Sequence, residues 1–315
     1  MTAKLLDIAG LSVRFGATAA VSEFFLSVAR GEAVGIVGES GSGKSAAMLA
    51  VLGLHPPGTA VSAERHLLGG TDVRRALPRQ LRALRGSMAA MIFQDPLAAL
   101  NPLLPVGVQI AEVLVRHKGL SKRDATLAAR ALLFRVGIHD AGARETKYPH
   151  EFSGGMRQRV MIAAALAGDP ALLIADEPTT ALDVTVQADI ARLIVQLQRE
   201  RQMGLIWVTH DLALMAGIVD RVVVMYAGRI MEVAPVAALY FAPRHPYTVA
   251  LLASLPRLDR KRASPLPAPQ AQAAQAAQAA GCPFAPRCGR RMAKCEDLPP
   301  LFEIGDSLAA CWALT

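Results

Sequence analysis

Residues 31–54 read GEAVGIVGESGSGKSAAMLAVLGL, and this stretch limits the chain's possible folds more than any other. Val34, Gly35, Ile36 and Val37 form a short apolar run, glycines follow at once from Gly38, and Ala46 to Leu54 continue as an apolar, helix-forming segment. That order is strand, loop, helix, the opening of an α/β unit with a buried parallel strand. The spacing G-x-x-x-x-G-K-S over Gly38–Ser45 brings backbone N–H groups of Gly41 to Ser45 around phosphate oxygens. It directs the Lys44 ammonium at the β/γ oxygens and offers the Ser45 hydroxyl to Mg²⁺. Gly38, Ser40, Gly41, Ser42, Gly43, Lys44 and Ser45 are therefore candidate nucleotide-binding residues, the glycines because a Cβ would obstruct the backbone's approach.

A second anchor is ALLIADEP, residues 171–178. Ala171 to Ile174 suit a buried strand, and Asp176 emerges at its carboxyl end, where ligands of open α/β sheets collect. Asp176 is expected to hold Mg²⁺ through water, and Glu177 to orient and polarise an attacking water. Ahead of this strand lies EFSGGMRQRV, residues 151–160. Here Ser153 has a hydroxyl to donate, while Gly154 and Gly155 let the start of the next helix approach a phosphate.

With these residues the chain resembles the nucleotide-binding subunit of an ATP-binding cassette (ABC) transporter, from Leu5 to about Leu255. FSGGM at 152–156 stands where the family's LSGGQ signature is expected, ALD at 181–183 resembles the D-loop with Asp183, and Gln94 in MIFQDP resembles the Q-loop glutamine. His210 in WVTHD resembles the switch histidine, and Phe15 stands where an aromatic side chain stacks on adenine. The resemblance implies an α/β P-loop ABC ATPase fold with a β-rich lobe, a RecA-like core and an all-α subdomain. It implies ATP and Mg²⁺ as cofactors, with Ser45, Gln94 and Asp176 around the metal, Glu177, His210 and Gln94 serving hydrolysis, and Gln94 reporting nucleotide to a membrane partner. It also implies that two such domains pair head to tail, each ATP lying between the phosphate loop of one and the Ser153–Gly155 signature of the other.

IFQDPLAALNP at 92–102, SGGMRQRVMIA at 153–163 and RHPYT at 244–248 narrow the resemblance to the oligopeptide, dipeptide and nickel importers. It implies a second, different ABC ATPase as partner, two integral membrane permease subunits and a solute-binding protein. Met156 replaces the signature's glutamine with a side chain lacking a strong hydrogen-bonding group, so the pairing is expected to be unequal. The implied function is ATP hydrolysis driving import of di- or oligopeptides. Import of another solute such as nickel, or a soluble ABC ATPase acting on ribosomes or DNA, are the competing readings. Against the soluble reading, the chain has neither a repeated cassette nor sustained heptads.

No apolar run reaches the ~20 residues that cross a bilayer, and MTAKLLDIAG lacks the pattern of a secretory signal. A peripheral place on the cytoplasmic face of the membrane follows as the expectation. The net charge of +8 includes Arg74, Arg75, Arg79, Arg82 and Arg85. No aromatics interleave for base stacking, so a solvated or partner-facing helix is expected rather than a nucleic-acid surface.

Three regions are expected: an ABC domain over 1–255, a Pro/Ala/Gln-rich linker over 256–281 and a small four-Cys C-terminal extension over 282–315. All four cysteines lie there, Cys282, Cys288, Cys295 and Cys311, at C-x5-C-x6-C-x15-C. Disulfides are disfavoured in a reducing compartment, and four thiolates suit tetrahedral Zn²⁺ or a [4Fe–4S] cluster. The resemblance to the peptide importers' cysteine-bearing extension favours the cluster, on a tethered tail.

Overall fold

Ala33–Val37 is buried at every residue, as a strand covered on both faces must be, and it runs straight into the glycine loop. The computed structural model describes residues 4–180, 182–255 and 281–314. The expected linker, apart from Gly281, and Ala181 of the ALD motif lie outside the described residues.

In chain order the elements begin with β1 (Lys4–Phe15), β2 (Thr18–Ala29), β3 (Ala33–Val37), α1 (Lys44–Val51), β4 (Thr59–Ser62), β5 (Arg65–Leu68), β6 (Thr71–Asp72), α2 (Pro78–Leu84) and β7 (Ala89–Ile92). Helices α3 (Pro96–Ala99), α4 (Val106–Lys118), α5 (Lys122–Arg135), α6 (Ala141–Arg144) and α7 (Gly154–Ala167) follow. Then come β8 (Leu172–Asp176), α8 (Val184–Arg201), β9 (Gly204–Thr209), β10 (Arg221–Tyr226), β11 (Arg229–Pro235), α9 (Val236–Phe241), α10 (Pro246–Ala253), β12 (Phe302–Ile304) and β13 (Ser307–Ala309). Among the described residues, one unit gathers those of Met1–Leu6, Val28–Glu32 and Leu67–Trp207, and a second those of Asp7–Ser27, Ala33–His66 and Val208–Thr315.

In the first unit the strand order is β9-β8-β7. Strands β7 and β8 are parallel, with Ala89 opposite Leu172 and Ile92 opposite Ala175. Leu173, Ile174, Ile206 and Trp207 are fully buried here. The all-α subdomain that the resemblance implied has its counterpart in α3 to α7. Ser121 caps α5 by accepting the Asp124 N–H, and Gly119 closes α4 at φ 65°. Arg130 on α5 grips Glu145 after α6 with a two-pronged bond, 3.0 Å from Nε and 2.6 Å from Nη2. Helix α8 buries Ile190, Ile194 and Leu197, spaced i, i+4, i+7 along one face.

In the second unit the order is β12-β13-β11-β10-β3. Strand β3 pairs parallel with β10 from Val34–Arg221 to Val37–Val224. The β-rich lobe is built on β1 and β2, with β4 antiparallel to β1 and Phe15 opposite Thr59. The cysteine-bearing segment, expected on a tether, continues the larger sheet: β13 pairs with β11, Leu308 facing Val233 and Ala309 facing Glu232. The fully buried Glu232 carboxylate accepts the backbone N–H groups of Arg244 at 2.8 Å and His245 at 2.9 Å. This satisfies an ion that would otherwise be costly to bury, and it pins the RHPYT stretch at the start of α10.

Candidate functional site

In the second unit the phosphate loop leaves β3 with no room for side chains at two glycines. A Cβ on Gly38 would stand 2.1 Å from the Met225 carbonyl oxygen, and one on Gly43, which sits at φ +94°, would stand 2.3 Å from that of Ala20. Lys44 is buried, and its ammonium donates to the Gly38 carbonyl at 2.8 Å, the Glu39 carbonyl at 2.9 Å and Ser42 Oγ at 3.4 Å. It therefore points into the loop that bears it. Ser42 is buried, Ser45 half-buried at the first turn of α1, and Ser40 and Gly41 are exposed. Phe15 is 42% exposed at the end of β1, available for stacking.

His210 follows β9 and is exposed. Asp211 caps the short turn that follows, accepting the Ala213 N–H at 2.9 Å.

In the first unit, strand register explains the central pair. Ile92 lies opposite Ala175, so Gln94 and Glu177, each two residues further on, leave the sheet side by side. Gln94 Nε2 donates to Glu177 Oε2 at 3.1 Å, and Thr180 Oγ1 donates to the same oxygen at 2.8 Å. Glu177 holds a left-handed backbone, φ 47°, a conformation uncommon outside glycine that recurs at functional positions. Asp176 is buried at the end of β8. Thr180 went unassigned in the sequence, although the TT after DEP was its only signal.

In the same unit Ser153 caps α7, its Oγ accepting the Met156 N–H at 3.4 Å, which leaves the hydroxyl hydrogen to donate elsewhere. Gly154, the first residue of α7, is exposed. Gly155 has an internal reason to be glycine: a Cβ would come within 2.8 Å of the Val186 side chain on α8. Arg144 Nη1 lies 3.8 Å from Met156 Sδ. Asp183 caps α8 by accepting the Val186 N–H at 3.0 Å. In the arginine-rich stretch, Arg74 is occupied by Asp72 at 2.9 Å and 2.6 Å. That bond, with the Arg74 charge behind it, holds the Asp72 carboxyl down at about 2.

The four cysteines are free thiols and line one small cavity in the second unit. His245 lines it too, buried, with no hydrogen-bond partner at Nε2 while Nδ1 accepts the Tyr247 N–H. Burial pushes the Cys282 and Cys311 thiols up, and the neighbouring sulfurs act in the same direction: Cys295 and Cys311 on Cys282, Cys288 and Cys295 on Cys311. Burial likewise pushes the His245 imidazole down to about 4. Among the described residues no group of three or more His, Cys, Asp or Glu side chains is arranged to hold a metal ion.

A glycine loop leaving a parallel strand, and Glu177 bonded by Gln94 from the end of the adjacent strand, are the features that the ABC-type ATPase reading requires. Residues 21–180 match the ABC transporter family, and residues 231–295 match the oligopeptide/dipeptide transporter C-terminal region. The chain is 45% identical over 302 residues to the dipeptide transport ATP-binding protein of Bacillus subtilis, covering 94% of this chain and 90% of that protein. It is 46% identical over 301 residues to the oligopeptide transport ATP-binding protein of Salmonella typhimurium, with the same coverage of 94% and 90%. Among solved structures, cbiO1 from Clostridium perfringens, part of an ABC transporter complex, matches with TM-score 0.65 and 28% identity over 76% of this chain and 91% of that one. The dimeric bacterial ABC transporter cassette MJ0796 matches with TM-score 0.65 and 25% identity over 73% and 98%. The chain belongs to the ABC transporter family of ATP-hydrolysing subunits, in the branch that carries the oligopeptide/dipeptide C-terminal region.

Proposed function

We propose that this chain is an ATPase subunit that powers import of di- or oligopeptides through a membrane transporter. The observation that carries it is the match of residues 231–295 to the oligopeptide/dipeptide transporter C-terminal region, on a chain 45% identical to a dipeptide transport subunit over 94% of its length. Residues 1–255 act as the ABC domain, and 282–315 as its C-terminal extension. No helix among the described residues is long and apolar enough to cross a membrane, in keeping with a peripheral subunit. Its partners are two permease subunits, a solute-binding protein and a second, different ATPase, and it works on the cytoplasmic face of the membrane.

In the proposed mechanism Phe15 stacks on adenine, while the N–H groups from Gly41 to Ser45 and the Lys44 ammonium hold the phosphates. Lys44 exchanges its loop carbonyls for phosphate oxygens as nucleotide enters. Ser45, Gln94 and Asp176 supply oxygen donors of the kind Mg²⁺ takes, and the ion would neutralise charge on the β- and γ-phosphates. Glu177, its carboxylate steadied by Gln94 and Thr180, orients water for in-line attack, and His210 contacts the γ-phosphate. Ser153, Gly154, Gly155 and Asp183 serve the nucleotide of the partner ATPase. Pairing of two such domains draws support from the dimeric relative cassette, and the head-to-tail arrangement is part of the proposal. The test is uptake of a labelled dipeptide by vesicles carrying the reconstituted transporter. ATP-dependent uptake is expected; hydrolysis without uptake of any di- or oligopeptide contradicts the cargo assignment.

Cys282, Cys288, Cys295 and Cys311 are proposed to hold a [4Fe–4S] cluster, with Zn²⁺ as the alternative. What supports the reading is composition: the four cysteine residues line one cavity that no carboxylate lines, although their present arrangement is not that of a metal site. Such a centre would cross-link the extension rather than serve hydrolysis. Anaerobically purified chain is expected to contain iron and sulfide with visible charge-transfer absorption. Stoichiometric zinc without iron rejects the cluster, and metal-free protein rejects the site.

A further inference from the structure

We infer that the cysteine-bearing extension braces the phosphate loop, with Arg287 as a positioning residue for nucleotide binding. Arg287 lies between Cys282 and Cys288, on the turn Ala285–Arg287. Its guanidinium grips the Glu39 carboxylate with both prongs, Nη1 to Oε2 at 2.9 Å and Nη2 to Oε1 at 3.0 Å. Glu39 is the second residue of GESGSGKS. The same guanidinium lies over the rings of Tyr226 and Phe284, at 5.7 Å and 5.6 Å from their centroids. The rings hold it in turn, since Phe284 packs at 5.6 Å from Tyr226 and 5.3 Å from Tyr247.

The backbone of Glu39 is held from the same side. Its N–H donates to Tyr247 Oη at 2.9 Å. The Glu39 carbonyl accepts from Lys44 Nζ at 2.9 Å and from the Ser42 N–H at 3.2 Å. Fixing Glu39 therefore fixes the carbonyl that positions the phosphate-binding lysine. A two-pronged pair on a ring-stacked guanidinium is better ordered than a lone surface ion pair, because the stack restricts one partner beforehand. Its contribution is preorganisation: less loop entropy is lost when phosphate binds.

The inference rests on residues 38–45 being the nucleotide loop, which loss of Lys44 tests separately. The experiment is calorimetric titration of the purified full-length chain with Mg-ADP, comparing R287M, E39Q and the double variant. Methionine keeps apolar cover over the rings while removing the fork, and E39Q breaks the pair from outside the extension. Each single variant is expected to raise Kd about five- to tenfold, and the double variant no further than the worse single. In the assembled transporter R287M is expected to raise KM for ATP while kcat at saturation stays within about twofold. Single variants binding as tightly as the parent, or losses that multiply in the double, overturn the brace. If Lys44→Ala weakens binding and these do not, the nucleotide loop stands and only the brace falls.

Discussion

Replacing Glu177 by glutamine lowers ATP turnover about 10²- to 10³-fold while nucleotide remains bound, so closed, ATP-loaded complexes accumulate. The substitution keeps shape and removes charge. A glutamine amide oxygen still accepts from Thr180 Oγ1 and Gln94 Nε2, which now bond the carboxylate at 2.8 Å and 3.1 Å, so the local geometry survives. What goes is the negative group that polarises water, and Lys44, Ser45 and Asp176 are untouched. The measurement is turnover together with bound-nucleotide stoichiometry on the assembled transporter. Turnover within a few-fold of the parent would remove Glu177 from the chemistry.

Lys44→Ala is expected to weaken Mg-ATP binding about 10- to 100-fold. The side chain is buried, and its ammonium brings positive charge into the loop, bonded at 2.8 Å and 2.9 Å to carbonyls that the substitution leaves without this donor. Phosphate then enters a loop with backbone N–H groups but no cation, and charge-assisted bonds are roughly twice as strong as neutral ones. The thermal midpoint without nucleotide is expected to move by only a few degrees, so the loss appears in the titration rather than in folding. Binding of Mg-ATP as tight as the parent's would contradict the assignment of Gly38–Ser45.

Much of this was legible because the signals are local. Strand, glycine loop and helix from Val34 to Leu54 are contiguous, so apolar periodicity and glycine spacing suffice to read them. The same holds for β8 ending at Asp176. What could not be read depends on pairing across long distances. The contact of Gln94 with Glu177 follows from the Ile92–Ala175 register, which no local period encodes. Arg287 and Glu39 meet across 248 residues, and β13 is a three-residue strand whose pairing with β11 carries no periodic signal. Gly155 was read as space for phosphate, yet Val186 on α8 already requires it.

The central claim is that this chain supplies half of each ATP site and completes it in trans. The most direct measurement is ATP turnover against protein concentration, for the chain alone and then with the cognate second ATPase, the permease subunits and a peptide-loaded solute-binding protein. The account predicts weak, concentration-dependent turnover alone and a large rise on assembly, further increased by peptide. Full activity in a strictly monomeric preparation, unchanged by dilution or by the partners, would contradict it.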